Sequence, residues 1–242
     1  MKKAKKKRII TGFIIVILLT LILAALWCLK KSDFSFEKNE KPSEQLELKD
    51  EQNHVDSIEI DKNLGSNLFL TGIESYIGSY VEDGSDEFVE NVMMIILENK
   101  GNEFVQFATI SINEKYVFEF TTLFPGQKMM ILEKNRAEYT EDFEIVSAKI
   151  SQVALFDNVP SLQEEVLKIE GENGLIIVTN ISGKDFAGGK VFYKNVLDDK
   201  YLGGITYSGR IPELEVGQSV KMSANHYYVD SSEFLFVTCA GY

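Results

Sequence analysis

Ile95-Ile96-Leu97-Glu98-Asn99-Lys100-Gly101 and Ile176-Ile177-Val178-Thr179-Asn180-Ile181-Ser182-Gly183 decide how this chain folds. Each is a short apolar, β-branched run closed by an asparagine, with a glycine soon after. Such a run is too short for a helix, and it ends on residues that tolerate left-handed backbone. Both stretches therefore predict a strand followed by a tight connection. The echo continues downstream in the same order. Phe104 to Ile110 has a counterpart in Phe186 to Phe192, and Phe124-Pro125-Gly126-Gln127 in Glu215-Val216-Gly217-Gln218. Asn135 through Val146 then answers to Asn225 through Val237. The offset is 81 residues at the asparagines and 91 at the glycines, so the second copy carries a ten-residue extension centred on Asn195–Lys200. That extension predicts a longer hairpin.

The remaining apolar runs agree. VMMIIL (92–97), FATISI (107–112), YVFEF (116–120), MMIL (129–132) and FEIVSAKI (143–150) are rich in β-branched and aromatic residues. Turn residues such as Asn99-Lys100-Gly101 and Pro125-Gly126 separate them. Only SLQEEVLK (161–168) has a weak helical stripe. Strands at this spacing predict an all-β chain with two tandem antiparallel sandwich units, residues 66–155 and 156–242. The break between them falls near Asp157-Asn158 and Pro160.

The order strand, Asn-x-x-Gly, strand, aromatic hairpin, strand, Gly-Gln, strand resembles the small extracytoplasmic immunoglobulin-like domains of the FxLYD type. These occur in membrane-anchored and lipoprotein chains of Gram-positive bacteria. The second copy carries Phe192-Tyr193-Lys194-Asn195 at that family's signature, with Lys194-Asn195 where Tyr-Asp is expected. The first copy departs further, with Ser111-Ile112-Asn113-Glu114. The resemblance covers residues 66–242. It implies an immunoglobulin-like sandwich with a binding or spacer role, and no catalytic residues.

Upstream, Ile9 to Leu29 is a run of 21 residues without a charge. As a helix rising about 1.5 Å per residue, such a run matches the hydrocarbon core of a bilayer. Six basic residues precede it in residues 1–8, and Lys30-Lys31 follow. The charge bias predicts a cytoplasmic N-terminus and an extracellular C-terminal part. The length favours an uncleaved anchor over a cleaved signal peptide. Leu26-Trp27 disfavours a lipobox at Cys28, which is read as an ordinary membrane-helix residue with palmitoylation as the alternative. Residues 30–65 are expected to form a charged stalk, with too few apolar residues to offset its ordering entropy.

Net charge sharpens the placement. The chain carries 25 basic and 37 acidic residues, a net −12. Eight of the basic residues and none of the acids lie in residues 1–31, so the remainder carries a net −20. That charge excludes nucleic acid and anionic surfaces as partners of the folded part.

Candidate chemistry is sparse. His226 and Cys239 are a conceivable pair, but a strand cysteine is ordinarily a small core hydrophobe. Glu82-Asp83-Gly84-Ser85-Asp86-Glu87 gathers oxygen ligands without the spacing of a calcium loop, and reads as a solvated hairpin. Weak calcium binding there is the alternative. Gly188-Gly189 and Gly203-Gly204 lie within strand-like sequence, which marks a bulge or a close backbone approach rather than a phosphate cradle. Tyrosine is favoured at contact surfaces, which makes Tyr201, Tyr207, Tyr227 and Tyr228 the expected contact set. His54 falls in the stalk without a second ligand.

The expected protein is therefore not an enzyme and holds no metal or cofactor. It is a single-pass membrane protein displaying two β-sandwich interaction modules to an envelope or membrane protein partner. Two rival readings are a ligand-sensing accessory subunit of a membrane transporter complex and a cell-envelope hydrolase.

Overall fold

Tight connections between antiparallel strands favour positive φ at successive turn residues, and three connections among the described residues contain such a pair. Ser66-Asn67, Asn113-Glu114 and Asp198-Asp199 all have φ between 49° and 58°. The computed structural model describes residues 58–240, which lie within a single compact unit. The expected cytoplasmic segment (1–8), membrane helix (9–29) and most of the stalk lie outside the described residues.

The first part of the chain contributes β1 (Ile58–Gly65), β2 (Leu68–Tyr80), β3 (Glu87–Asn99), β4 (Val105–Ile112), β5 (Tyr116–Leu123), β6 (Lys128–Leu132) and β7 (Ala148–Leu155). The second contributes β8 (Leu167–Glu172), β9 (Leu175–Asn180), β10 (Gly189–Leu197), β11 (Lys200–Ile211), β12 (Ser219–Ser223) and β13 (Ser232–Cys239). The described residues contain no helix. At 163–167 the Gln163 carbonyl accepts hydrogen bonds from Val166 and Leu167 in a turn, where the weak stripe suggested a helix. The stalk was expected to reach residue 65, but Ile58–Gly65 is a strand. Ile58–Gly65 pairs with β2, and Ile60 and Leu64 pack on the core, so the charged residues between them did not prevent a strand. The run 143–150 becomes a strand only from Ala148.

The same pairing scheme occurs twice. Strands β2-β3-β6 face β5-β4-β7 across a core that includes Leu70, Ile95, Ile110 and Phe118. Strands β8-β9-β12 face β11-β10-β13 across a core that includes Ile176, Val191, Tyr193 and Tyr207. One sheet from each set is joined. β6 pairs in parallel with β11, through Tyr201↔Met129 and Leu202↔Met130, and with β1 at the outer edge this makes seven strands in the order β1-β2-β3-β6-β11-β10-β13. The joined region is covered on both faces. Met93 and Ile95 of β3 point into the first core, while Val92 and Met94 pack with Tyr80, Met130 and Leu132 on the other side. Burial on two faces explains why VMMI lacks the alternation of a half-exposed strand.

The two asparagines that end β3 and β9 repeat one hydrogen-bond clasp. Asn99 N donates to Gln127 O (3.0 Å), and its carbonyl accepts from Gly126 N (2.8 Å). Its side-chain amide donates to Glu103 O (2.9 Å) and Leu123 O (3.2 Å), while Oδ1 accepts from Gly101 N (3.0 Å). Asn180 makes the equivalent bonds to Gln218 O and from Gly217 N, both 2.9 Å. Its amide reaches Lys184 O (2.8 Å) and Leu214 O (3.0 Å), and Oδ1 accepts from Ser182 N (3.0 Å). Both side chains are buried, and Gly126 and Gly217 share φ +76°. Only a side chain with a donor and an acceptor on one planar group serves both loops.

Asn180→Leu strands the buried Leu214 carbonyl, at a cost of about 1–3 kcal/mol, and removes the part-buried bonds to Lys184 O and from Ser182 N. Urea denaturation of the intact chain is expected to show a loss of about 3 kcal/mol; a change under about 0.5 kcal/mol would remove the clasp from the account.

Candidate functional site

Most titratable side chains with several polar partners gather where the joined sheet meets β5. β11 leaves its regular pairing with β10 here: Tyr193↔Tyr207 is followed by Asn195↔Leu202, so residues 203–206 bulge out of register. Gly203 has φ +80°, and a Cβ on Gly204 would stand 1.9 Å from the Glu119 carbonyl oxygen. The glycine pair marks the bulge and close backbone approach expected from the sequence.

A bulge leaves backbone groups without ladder partners, and two charged side chains supply them. Lys194, fully buried on β10, donates to the carbonyls of Gly203 (3.4 Å), Gly204 (3.1 Å) and Ile205 (2.6 Å). The Glu82 carboxylate accepts from Gly204 N at 2.9 and 2.8 Å and from Leu132 N at 2.9 Å. One side chain holds the carbonyls of the bulge and the other an amide. Burial pulls the Lys194 ammonium down to about 7, opposed by the charge of Glu82. Burial likewise raises the Glu82 carboxyl, opposed by the amides of Gly204 and Leu132 and by Lys194.

Beside the bulge lies an open groove of about 590 Å³, lined by Tyr80, Glu82, Thr121, Arg136 and Thr206 among others. Its polar groups are tied to one another. The Thr121 hydroxyl lies 2.8 Å from that of Thr206, which donates to Thr121 O (3.0 Å). Arg136 bonds Asp83 (2.9 Å) and Glu87 (2.5 Å) and stacks over the Tyr80 ring at 4.4 Å. Lys134 pairs with Glu119 at 2.7 Å. Buried Glu133 accepts from the backbone of Val117, Asn135 and Ala137. Thr122, buried beside Thr121, has φ +58°, a strained conformation for a β-branched residue. Chemically, the arrangement is a network that fixes backbone.

The expected tyrosine contact surface is corrected. Tyr201 (2% exposed), Tyr207 (8%) and Tyr227 (4%) are core residues, and only Tyr228 (40%) is open to solvent. The rings pack together: Tyr193 lies 5.4 Å from both Tyr207 and Tyr227, and Tyr227 stacks on Phe234 at 4.8 Å. Gly171 makes the space, since a Cβ there would sit 2.2 Å from the Tyr227 ring. His226 is stacked on Tyr207 (4.7 Å), with Nδ1 3.1 Å from Asp86, a partner in the other half of the chain. Cys239 ends β13 opposite Gly189 and packs against the second core.

The carboxylates of loop 82–87 diverge to Gly204, Arg136 and His226 rather than converging. Among the described residues no group of three His, Cys, Asp or Glu side chains could hold a metal ion. Glu82 and Lys194 were not visible as a pair in the sequence. Glu82 sits in a run of surface-type residues, and its partner peptide lies 122 residues away. The available signal was Lys194 itself, a lysine inside the apolar strand Val191-Phe192-Tyr193-Lys194, with a glycine pair in the strand beside it.

Comparison with models of protein families, with curated proteins and with solved structures finds no match.

Two outcomes follow from the bulge. Gly204→Ala drives a methyl into the Glu119 carbonyl, and thermal melting should drop by roughly 10 °C or more, consistent with a loss above about 3 kcal/mol. Lys194 binds its proton less tightly in the fold than in the unfolded chain. Its penalty is thus full below about pH 7 and lifts as pH rises toward 10.5. Stability of the native chain relative to Lys194→Met should climb with a slope of up to about 1.4 kcal/mol per pH unit between about pH 7.5 and 9.5. Parallel pH profiles for the two proteins would contradict this.

Proposed function

We propose that this chain is a non-enzymatic, membrane-anchored protein that presents two sequential immunoglobulin-like β-units at the outer face of a bacterial cell envelope. The observation that carries the reading is the duplicated three-on-three strand scheme, with an asparagine clasp at the same place in each copy. Repeated sandwich units are a display architecture: rigid sheets whose edges and loops are left for contact. The charged groups of the groove fit this reading, because Glu82, Lys194 and Glu133 spend their hydrogen bonds on backbone. Ile9 to Leu29 supplies the anchor, the charged segment after it the reach, and the net −20 of residues 32–242 keeps the display part off an anionic bilayer. Its partner is an envelope or membrane protein.

Protease treatment of intact producing cells is expected to remove the folded part and leave the N-terminal segment in the membrane pellet after alkaline extraction. A chain that resists protease in intact cells and is released by alkaline extraction would overturn the placement.

A further inference from the structure

Asn173-Gly174 is the one place in the chain where an asparagine precedes a glycine. It forms the turn between β8 and β9, with Glu172 paired to Leu175 and Gly174 at φ +73°. The pair holds a latent reaction. A side-chain amide carbon stands next to the following backbone nitrogen, and the glycine brings no Cβ to shield it. Hydrogen bonds from the loop between β12 and β13 hold these atoms in place. Gly174 N donates to Tyr227 O (2.8 Å), and Asn173 Oδ1 accepts from Val229 N (2.9 Å). Ala224 N ties the same loop to Gly174 O (2.9 Å). The hold is uneven: Tyr227 is buried, whereas Tyr228 (40%), Val229 (48%) and Asn173 are exposed.

Asp83-Gly84 offers the same arrangement with a carboxyl, and only there does an aspartate precede a glycine. Hydrogen bonds from Ser85 and Arg136 hold that carboxyl below its ordinary range, so it stays ionised and is a poor electrophile. Asn173 has no such protection, because its amide carries no charge.

We propose that Asn173-Gly174 is a site of spontaneous covalent change, gated by lifting of residues 224–229. Once the loop lifts, Gly174 N attacks Asn173 Cγ. The N–Cγ bond forms, the Cγ–Nδ2 bond breaks, and ammonia leaves with the Gly174 amide proton, closing a cyclic imide. Water then opens the imide at either carbonyl. Breaking the new bond gives aspartate, and breaking the original peptide bond gives isoaspartate. Both products place a negative charge beside Glu172. Isoaspartate also adds a methylene to the backbone of a turn whose length fixes the β8–β9 register. The neighbouring backbone has no room to shift. A Cβ on Gly171 would already sit 2.2 Å from the Tyr227 ring, which stacks on Phe234 in the second core. The change therefore loosens β8 against Tyr227. The inference is independent of the display reading, and the failure of either leaves the other intact.

Peptide mapping by mass spectrometry of the intact chain in detergent, held at mildly alkaline pH, follows the exchange of amide for acid at residue 173. In concentrated urea Asn173 should convert faster than every other asparagine, and in the folded chain it should convert more slowly by about tenfold or more. Val229→Pro removes the N–H that holds Asn173 Oδ1, and should narrow that ratio by about threefold or more with the rate in urea unchanged. Low urea on the native chain gives the same reading without a substitution: conversion and hydrogen exchange of the Gly174 amide should rise together. Equal rates in the fold and in urea, conversion led by another asparagine, or a folded rate that neither Val229→Pro nor low urea moves would each overturn the proposal.

Discussion

Residues 203–205 of β11 are the segment on which the joined architecture depends. For β11 to pair with β10 at both ends and still reach β6, it has to take up extra residues in the middle, and their amides and carbonyls need partners. Lys194 and Glu82 supply those partners from β10 and from the loop after β2. Burying two charges costs several kcal/mol each unless hydrogen bonds replace water. Here three carbonyls face the ammonium and two amides face the carboxylate. The two halves of the chain are thus joined through backbone as well as through side chains, among them Leu235 and Phe236 in the first core and the pairs Thr121–Thr206 and Asp86–His226.

The clasps at Asn99 and Asn180 do a different task at the opposite ends of their strands. Each ties the end of one strand both to the loop that follows it and to a second loop, 24 residues on in the first copy and 34 in the second, so each sandwich is closed locally. The two levels are consistent: the repeated element is local, and the element that joins the copies is unique. Loop 82–87 serves the second level through Glu82 and, by way of Asp86, through His226.

Residues with one dominant structural preference were legible in sequence. Asn99 and Asn180 predicted strand ends, Gly203-Gly204 predicted a bulge, and the β-branched runs predicted strands, so the all-β class followed. Tyrosine was harder, because its ring suits a core and its hydroxyl suits a surface. Across a bulge, alternation no longer tells which way Tyr201 and Tyr207 point, and both are buried. Glu82 was hidden by its charged neighbours, and β1 by the polar residues that alternate with Ile60 and Leu64. In each case a contact more than a dozen residues away decided the outcome.

Glu82 and Lys194 act as one unit through the bulge, and a double-mutant cycle of Glu82→Gln and Lys194→Met measures that directly. Because each single change leaves the other charge buried beside an unchanged peptide, the double variant should lose less stability than the two singles combined. The expected coupling is about 1–3 kcal/mol in urea denaturation of the intact chain. Additive losses, with coupling below about 0.5 kcal/mol, would contradict it.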